Sequence, residues 1–286
     1  QVGAAILFAR NVGSPEQVSV LNQELHAAAP TDRPFFVCAD QEGGRVQRIK
    51  NPATEWPPMF DLDAHFRRDA HAAEALARDV GRALGREFCA LGFDVDFAPV
   101  LDVLTNPDNP VIGDRAFSTT PAGVIALAGA FADGLAAAGV VACGKHFPGH
   151  GDTSLDSHLA LPRVDHDLTR LRSVELLPFA RLGRLPLFMT AHVVFAALDD
   201  KRPATMSPRV LTQLLRHELG YRGLVLSDDL EMKAIADHFG LADALEQSLL
   251  AGCDGVLLCE NEELQHEAFD VLMVLAENSS RFRERI

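Results

Sequence analysis

The sequence predicts an α/β fold, a closed parallel barrel of the TIM (β/α)8 type, with its first strand upstream of residue 1. Short apolar runs alternate with longer stretches of helical periodicity about seven times along 286 residues, the pattern of repeated βα units. Polar and charged residues collect just after nearly every apolar run, as they do at the C-terminal mouth of such a barrel. An open doubly wound sheet would carry a Gly-rich phosphate turn after its first strand. The chain has Phe8-Ala9-Arg10-Asn11-Val12-Gly13 there instead. The usual barrel of this kind has eight strands. The chain starts at Gln1, not Met, and turns apolar almost at once, so the missing strand is expected before it.

The strands are expected at residues 4–8, 35–39, 95–99, 140–144, 187–190, 224–227 and 255–259. Each is a short apolar run of the kind that forms a strand buried on both faces. Helices are expected between them. Ser14-Pro15-Glu16-Gln17 opens the first, with Ser14 as N-cap, Pro15 at the first helical position and Gln17 as the capping-box partner. Residues 65–91 form a long amphipathic stretch rich in Ala, Arg and Leu, and residues 121–138, 168–182, 207–219 and 241–251 complete the set. There is no linker, low-complexity tract or short repeat, so residues 1–286 are expected to form one catalytic domain.

The chain is 48% hydrophobic and 23% charged with a net charge of -14, an ordinary globular composition. An acidic surface argues against nucleic acid and anionic membranes as partners. No apolar run approaches a membrane span, and no signal peptide is expected. Cys38, Cys89, Cys143, Cys253 and Cys259 are odd in number, scattered and set in apolar surroundings. They are expected to be reduced and buried, in the cytoplasm. The chain is expected to act as a monomer.

Residues 145–158, Lys-His-Phe-Pro-Gly-His-Gly-Asp-Thr-Ser-Leu-Asp-Ser-His, hold the densest chemistry. Pro148, Gly149 and Gly151 punctuate the segment, and its charged groups have no evident reason to enter a core, so it reads as a loop after the strand at 140–144. Asp156 and His158 are two apart, which places both side chains on one side of extended backbone. A carboxylate beside a histidine fixes its tautomer and supports its charged form. Other strand ends carry Asp40 with Glu42, Arg45 and Arg48, then Asp102, Asp114 and Arg115, then His192, Asp228-Asp229, and Glu260. Taken singly, such residues more often cap helices or pair with one another: Asp229 lies nearer the following helix and fits that role better than Asp228. Asp228 reads as a nucleophile, a base or a metal ligand. Arg48, Arg115, Lys145 and His146 can hydrogen-bond a polyhydroxylated ligand, or pair with Asp40 or Asp114.

Asp40-Gln41-Glu42-Gly43-Gly44-Arg45-Val46-Gln47-Arg48, Ile112-Gly113-Asp114-Arg115-Ala116-Phe117, residues 145–153 with Asp156-Ser157-His158, and Ser227-Asp228-Asp229-Leu230 with Met232 resemble the motifs of family-3 glycoside hydrolases, in order and nearly end to end. The histidine-rich motif is highly specific, while Ser-Asp-Asp alone is weak. The resemblance is nearest to the single-domain bacterial β-N-acetylglucosaminidases of peptidoglycan recycling. It implies a retaining hydrolase of terminal β-N-acetylglucosamine from muropeptides, with no cofactor and no metal. Asp228 matches the nucleophile, His158 the general acid/base and Asp156 its dyad partner. Asp40, Arg48, Arg115, Lys145 and His146 match positions that contact the sugar.

Such a mechanism departs from the usual pair of carboxylates. A histidine titrates near neutral pH, so one group can protonate the leaving oxygen and then deprotonate water. The rival readings are a relative cleaving glucosides or xylosides, a sugar-binding protein without turnover, and a metal-dependent hydrolase using His146, His150, Asp152 and His158. His146 and His150 have the spacing of a helical zinc pair, but Pro148 and Gly149 between them argue against the helix.

Overall fold

The structure, a computed structural model, describes residues 2–157 and 161–285. The chain forms two compact units. The first comprises Gln1–Val103 with Asp114–Lys145, and the second Leu104–Gly113 with His146–Ile286.

In the first unit, strands β1 (Ala4–Leu7), β2 (Phe36–Ala39), β3 (Gln41–Gly43), β4 (Val46–Gln47), β5 (Val95–Asp96) and the start of β6 (Val141–Phe147) follow one another along the chain. β1 pairs in parallel with β2, β2 with β5 and β5 with β6, with Ala39 opposite both Leu7 and Asp96. β3 and β4 instead form a small antiparallel hairpin inside the Asp40–Arg48 motif. Gly43 and Gly44 make its turn with φ of 93° and 57°, in the left-handed region that side chains avoid. A Cβ on Gly43 would also come within 2.7 Å of Met59 Cε and 2.9 Å of the Pro57 carbonyl.

Helices α1 (Pro15–Ala28), α2 (Asp61–Phe66), α3 (Ala70–Ala90) and α4 (Pro121–Ala137) belong to the same unit. The hydroxyl of Ser14 accepts from the Gln17 N–H at 3.2 Å. The Gln17 side chain reaches back to the Gly13 N–H at 2.9 Å, not to Ser14, so the expected capping box closes one residue early. The single helix expected over 65–91 is two helices. Asp69 breaks it, because its carboxylate accepts the Ala72 N–H at 3.0 Å and so starts α3 afresh. Where α3 and α4 cross, Gly81 and Gly134 let the backbones touch. A Cβ on either would collide with the carbonyl oxygen of Phe131 or Arg78.

In the second unit β6 ends, and β7 (Arg163–Val164), β8 (Leu187–Thr190), β9 (Val194–Phe195), β10 (Leu224–Asp229) and β11 (Gly255–Leu257) follow. β10 is parallel to β8 on one side and to β11 on the other, and β7 pairs in parallel with β9. Helices α5 (Leu168–Ser173), α6 (Leu177–Arg181), α7 (Lys233–Ala236), α8 (Leu241–Ala251), α9 (Glu262–Asn278) and α10 (Ser280–Arg285) lie between or after them. Arg209–Glu218 winds as a π-helix. The helix expected over 168–182 is again two, with Pro178 in the first turn of α6. Phe147, Phe179, Phe188 and Tyr221 form an aromatic core in this unit. Phe188 stacks on Tyr221 at 4.2 Å, and Phe147 meets Phe179 edge-on at 5.2 Å.

Both units are thus α/β with parallel strands. No described helix is long and apolar enough to cross a membrane. None of the five cysteines is disulfide-bonded, but Cys89 is exposed and Cys259 half-buried, so the expectation that all are buried holds only for Cys38, Cys143 and Cys253. Cys89 lies in the last turn of α3 with its side chain turned to solvent, beyond the buried Phe88.

Candidate active site

β6 carries more of the chemistry than its sequence predicts. The strand does not stop at Gly144 but runs on to Phe147. Lys145 is 2% exposed, and His146 and His150 are also buried. The expectation of a solvated loop is therefore wrong for the first half of the histidine motif, and the physical reason lies in the charges that meet Lys145.

In the first unit, Lys145 Nζ donates to Asp40 Oδ1 at 2.7 Å and pairs with Glu42 Oε1 at 2.6 Å. Arg48 donates to the other oxygen of Asp40 at 2.7 Å. Arg115, from the short turn Gly113–Arg115, grips Glu42 with both arms of its guanidinium at 2.8 Å. Such a fork is the strong form of a charge-assisted pair. Asp114 takes no part in this group and pairs with Arg45 nearer solvent. Sequence reasoning named Asp40, Arg48, Arg115 and Lys145 as binding residues and omitted Glu42. The signal was present, since Asp40 and Glu42 are two apart in extended backbone and so share a side.

The hairpin holds this group in register. Gln41 Oε1 accepts from the N–H groups of Arg48 and Ile49 at 2.9 and 3.0 Å. The Gln41 N–H in turn donates to Asp96 Oδ1 at 2.9 Å. Asp96 is wholly buried, and burial pushes its carboxyl well above the usual carboxylate range. Asp40 and Glu42 go the other way. Burial would raise both, but Lys145 and Arg48 hold Asp40 far below the usual range, and Arg115 with Lys145 bring Glu42 down to about 2. Lys145 and Arg115 are raised despite their burial by the same carboxylates. Glu42 is thus a fixed anion. A general acid needs a proton to give near the working pH, so Glu42 is poorly placed for that work.

Removing one member leaves the others charged and buried. Lys145→Met is expected to cost about 3–5 kcal/mol of stability, read by urea unfolding, because it takes one of its two cations from each of two buried carboxylates. The wild type has a matching pH signature. Glu42 ordinarily titrates near 4.5 and is depressed when folded. Its contribution is present above pH about 4.5 and is lost as pH falls toward 2. Acid unfolding followed by circular dichroism should show that loss, and it should be weaker in Lys145→Met.

In the second unit, β10 ends in Ser227-Asp228-Asp229. Asp228 Oδ1 accepts from the Asp229 N–H at 2.9 Å. Asp229 Oδ1 accepts from the Glu231 N–H at 3.1 Å, which closes the turn before α7. The N-cap of α7 is Met232, so Asp229 caps that turn, not the helix expected after it. Burial first, then the charges of Glu231 and Asp228, raise the Asp229 carboxyl to about 6. His192 is buried, its Nε2 2.9 Å from the Asp229 carbonyl and its Nδ1 2.8 Å from Thr205 Oγ1.

The histidine motif continues in this unit as a strapped loop. Asn106 and Asn109 donate to the carbonyls of Thr153 and His150 at 3.1 and 2.8 Å. Thr105 donates to Asp152 Oδ1 at 2.8 Å, and His166 Nε2 lies 2.5 Å from Asp152 Oδ2. The His146 and His150 rings meet edge-on at 5.9 Å. Both nitrogens of His150 face hydroxyl groups, those of Thr153 and Ser157. Among the described residues no group of three or more His, Cys, Asp or Glu is arranged to hold a metal ion. Asp156 is half-buried beside the buried Ser157, and His158 lies outside the described residues. Glu260 is exposed, its N–H donating to Glu231.

The first unit thus carries a buried group of paired carboxylates and cations, and the second a strand end with two aspartates and a strapped histidine motif. The Glycosyl hydrolase family 3 N terminal domain matches residues 1–286, and the chain belongs to that family. It is 46% identical over 265 residues to a beta-hexosaminidase of Alkalilimnicola ehrlichii, covering 92% of this chain and 75% of that protein. It is 42% identical over 275 residues to beta-hexosaminidase A of Pseudoalteromonas piscicida, covering 90% of this chain and 46% of that protein. Among solved structures, a glycoside hydrolase family 3 beta-N-acetylglucosaminidase from Paenibacillus sp. str. FPU-7 matches with a TM-score of 0.92 at 41% identity, over 99% of this chain and 54% of that one. NagZ from Neisseria gonorrhoeae, in complex with N-trifluoroacetyl-D-glucosamine, matches with a TM-score of 0.85 at 36% identity, over 99% and 88%. The chain thus spans about half the length of some of these relatives and most of others.

Proposed function

We propose that this chain is the catalytic domain of a retaining β-N-acetylhexosaminidase that removes terminal β-N-acetylglucosamine. The observation that carries this reading is the buried charge group around Lys145, found in a chain whose relatives are named for that activity. A sugar is neutral but rich in hydroxyls, and each hydroxyl both donates and accepts. Asp40, with Arg48 and Lys145, offers charged partners of both signs, already ionised and held in place. Charge-assisted hydrogen bonds to such a ligand are short and strong, and here the partners are set before it arrives. Arg115 and His146 would bind the same sugar.

Asp228 would attack the anomeric carbon and form a glycosyl-enzyme. His158, oriented by Asp156, would protonate the departing oxygen and then take a proton from water. The fold proposed is the (β/α)8 barrel in one domain, a reading supported by the parallel βα order and by the likeness to these relatives. The natural substrate proposed is an N-acetylglucosaminyl muropeptide met during cell-wall recycling in the cytoplasm, a place that suits five thiols without a disulfide.

An aryl N-acetyl-β-glucosaminide is the first test. Phenol should be released from it, and the matching aryl β-glucoside should be a poor substrate. Equal or faster cleavage of the glucoside or xyloside would assign the chain to that branch. Binding without release would make it a sugar-binding protein.

A further inference from the structure

The proposed dyad partner Asp156 sits next to Ser157, and Ser157 is anchored through both its carbonyl and its hydroxyl. It is 2% exposed. Its carbonyl accepts the Ala234 N–H at 3.2 Å, which ties it to α7, the helix that follows the strand of Asp228. Its hydroxyl lies 3.0 Å from His150 Nε2. The other ring nitrogen, Nδ1, lies 2.7 Å from Thr153 Oγ1, which is 3.1 Å from the His150 carbonyl. The Thr153 hydroxyl has one proton and two acceptors in reach. Where that proton goes sets the ring tautomer, and in either tautomer Nε2 and the Ser157 hydroxyl serve as donor and acceptor to one another.

Asn109 fixes the other end of this chain of bonds. Its amide donates to the His150 carbonyl and, at 3.2 Å, to Thr153 Oγ1, while its oxygen accepts the Val111 and Ile112 N–H groups at 2.9 and 2.8 Å. Asn109, His150, Thr153 and Ser157 are all buried. Every described member bonds another, as a buried polar network requires. The catalytic roles proposed above give His150 nothing to do, yet its side chain joins the start of the loop to the residue beside Asp156.

We propose that His150 is a positioning residue for the acid/base step, holding Asp156 in place through the hydrogen bond between its Nε2 and the Ser157 hydroxyl. The proposal rests on the reading of Asp156 as the dyad partner. It follows that His150 matters in proportion to how much protonation the leaving group needs.

The test compares aryl N-acetyl-β-glucosaminides with a good and a poor leaving group. On the poor one, His150→Leu and Ser157→Ala should each lose about 10–10²-fold in kcat/KM, the scale of a small misplacement of a reacting group. On the good one the loss should be a few-fold at most. The double variant should be no worse than the more damaged single one, since both break the same bond. His150→Gln, whose amide nitrogen can reach toward Ser157, should restore much of the activity. Ser157→Ala carries the test if His150→Leu does not fold. Equal losses on both substrates, or losses confined to KM, would overturn the proposal and make the network structural or substrate-binding. If Asp156→Ala itself shows no dependence on the leaving group, the dyad reading fails, and this proposal falls with it for that separate reason.

Discussion

Asp228→Ala is expected to lower turnover by roughly 10⁴-fold or more, the scale seen when a covalent nucleophile is removed. The carboxylate is at the end of β10, where Oδ1 accepts the Asp229 N–H at 2.9 Å. One oxygen is thereby oriented by backbone, which fixes the carboxylate plane. Asp229 should behave differently. Its carboxylate closes the turn at Glu231, and although burial raises it to about 6 it is committed to that backbone bond. Asp229→Ala is expected to cost far less turnover and to act through the geometry of that turn. A 5-fluoro-glycosyl trap followed by peptide mapping separates the two, and the label should appear on Asp228. A label on Asp40 or Glu42 would overturn the assignment. The structure already weighs against them as nucleophiles, since each is bound to two cations, and an anion so paired is a weak one.

His158→Ala is expected to cost about 10²–10⁴-fold with a natural sugar as leaving group, the usual range for a lost general acid. With an excellent leaving group the glycosyl-enzyme forms without protonation, so that step should suffer least. Azide needs no base and should rescue the second step. Asp156→Ala should show the same trend more mildly, because the imidazole remains but is no longer oriented. A loss independent of leaving group, with no azide rescue, would return His158 to a binding role. Glu42 would not then be the obvious substitute, since Arg115 and Lys145 keep it ionised.

The parallel strands were legible because each is a continuous apolar run between helical stretches, and such runs have few other uses. The extension of β6 through Lys145 to Phe147 was not. A reading based on apolarity stops at the first charge, whereas Lys145 is buried because Asp40, 105 residues away, bonds its ammonium. Local sequence cannot show a partner at that separation. The helices between the strands were located but divided badly, because the periodicity of 65–91 runs through Asp69 without registering that its carboxylate starts a new helix, and α9 and α10, after the last strand, were not expected at all. In the histidine motif the residue types announced chemistry, but not its distribution. Lys145 joins a charge group, His150 a network of hydroxyls, and Asp152 a bond to His166.

The meeting of α3 and α4 constrains anyone who sets out to make this chain more heat-resistant. Glycine-to-alanine replacement within helices is a standard route, each change being worth on the order of 0.4–1 kcal/mol where the backbone and space allow it. Gly81 and Gly134 look eligible on that count, lying mid-helix with ordinary helical backbone. Both abut a carbonyl of the opposing helix, and a Cβ on Gly85 would come within 2.8 Å of the Ala138 methyl. The added methyl would wedge the pair apart, so consensus or automated schemes should exempt these three sites and look instead to surface positions elsewhere.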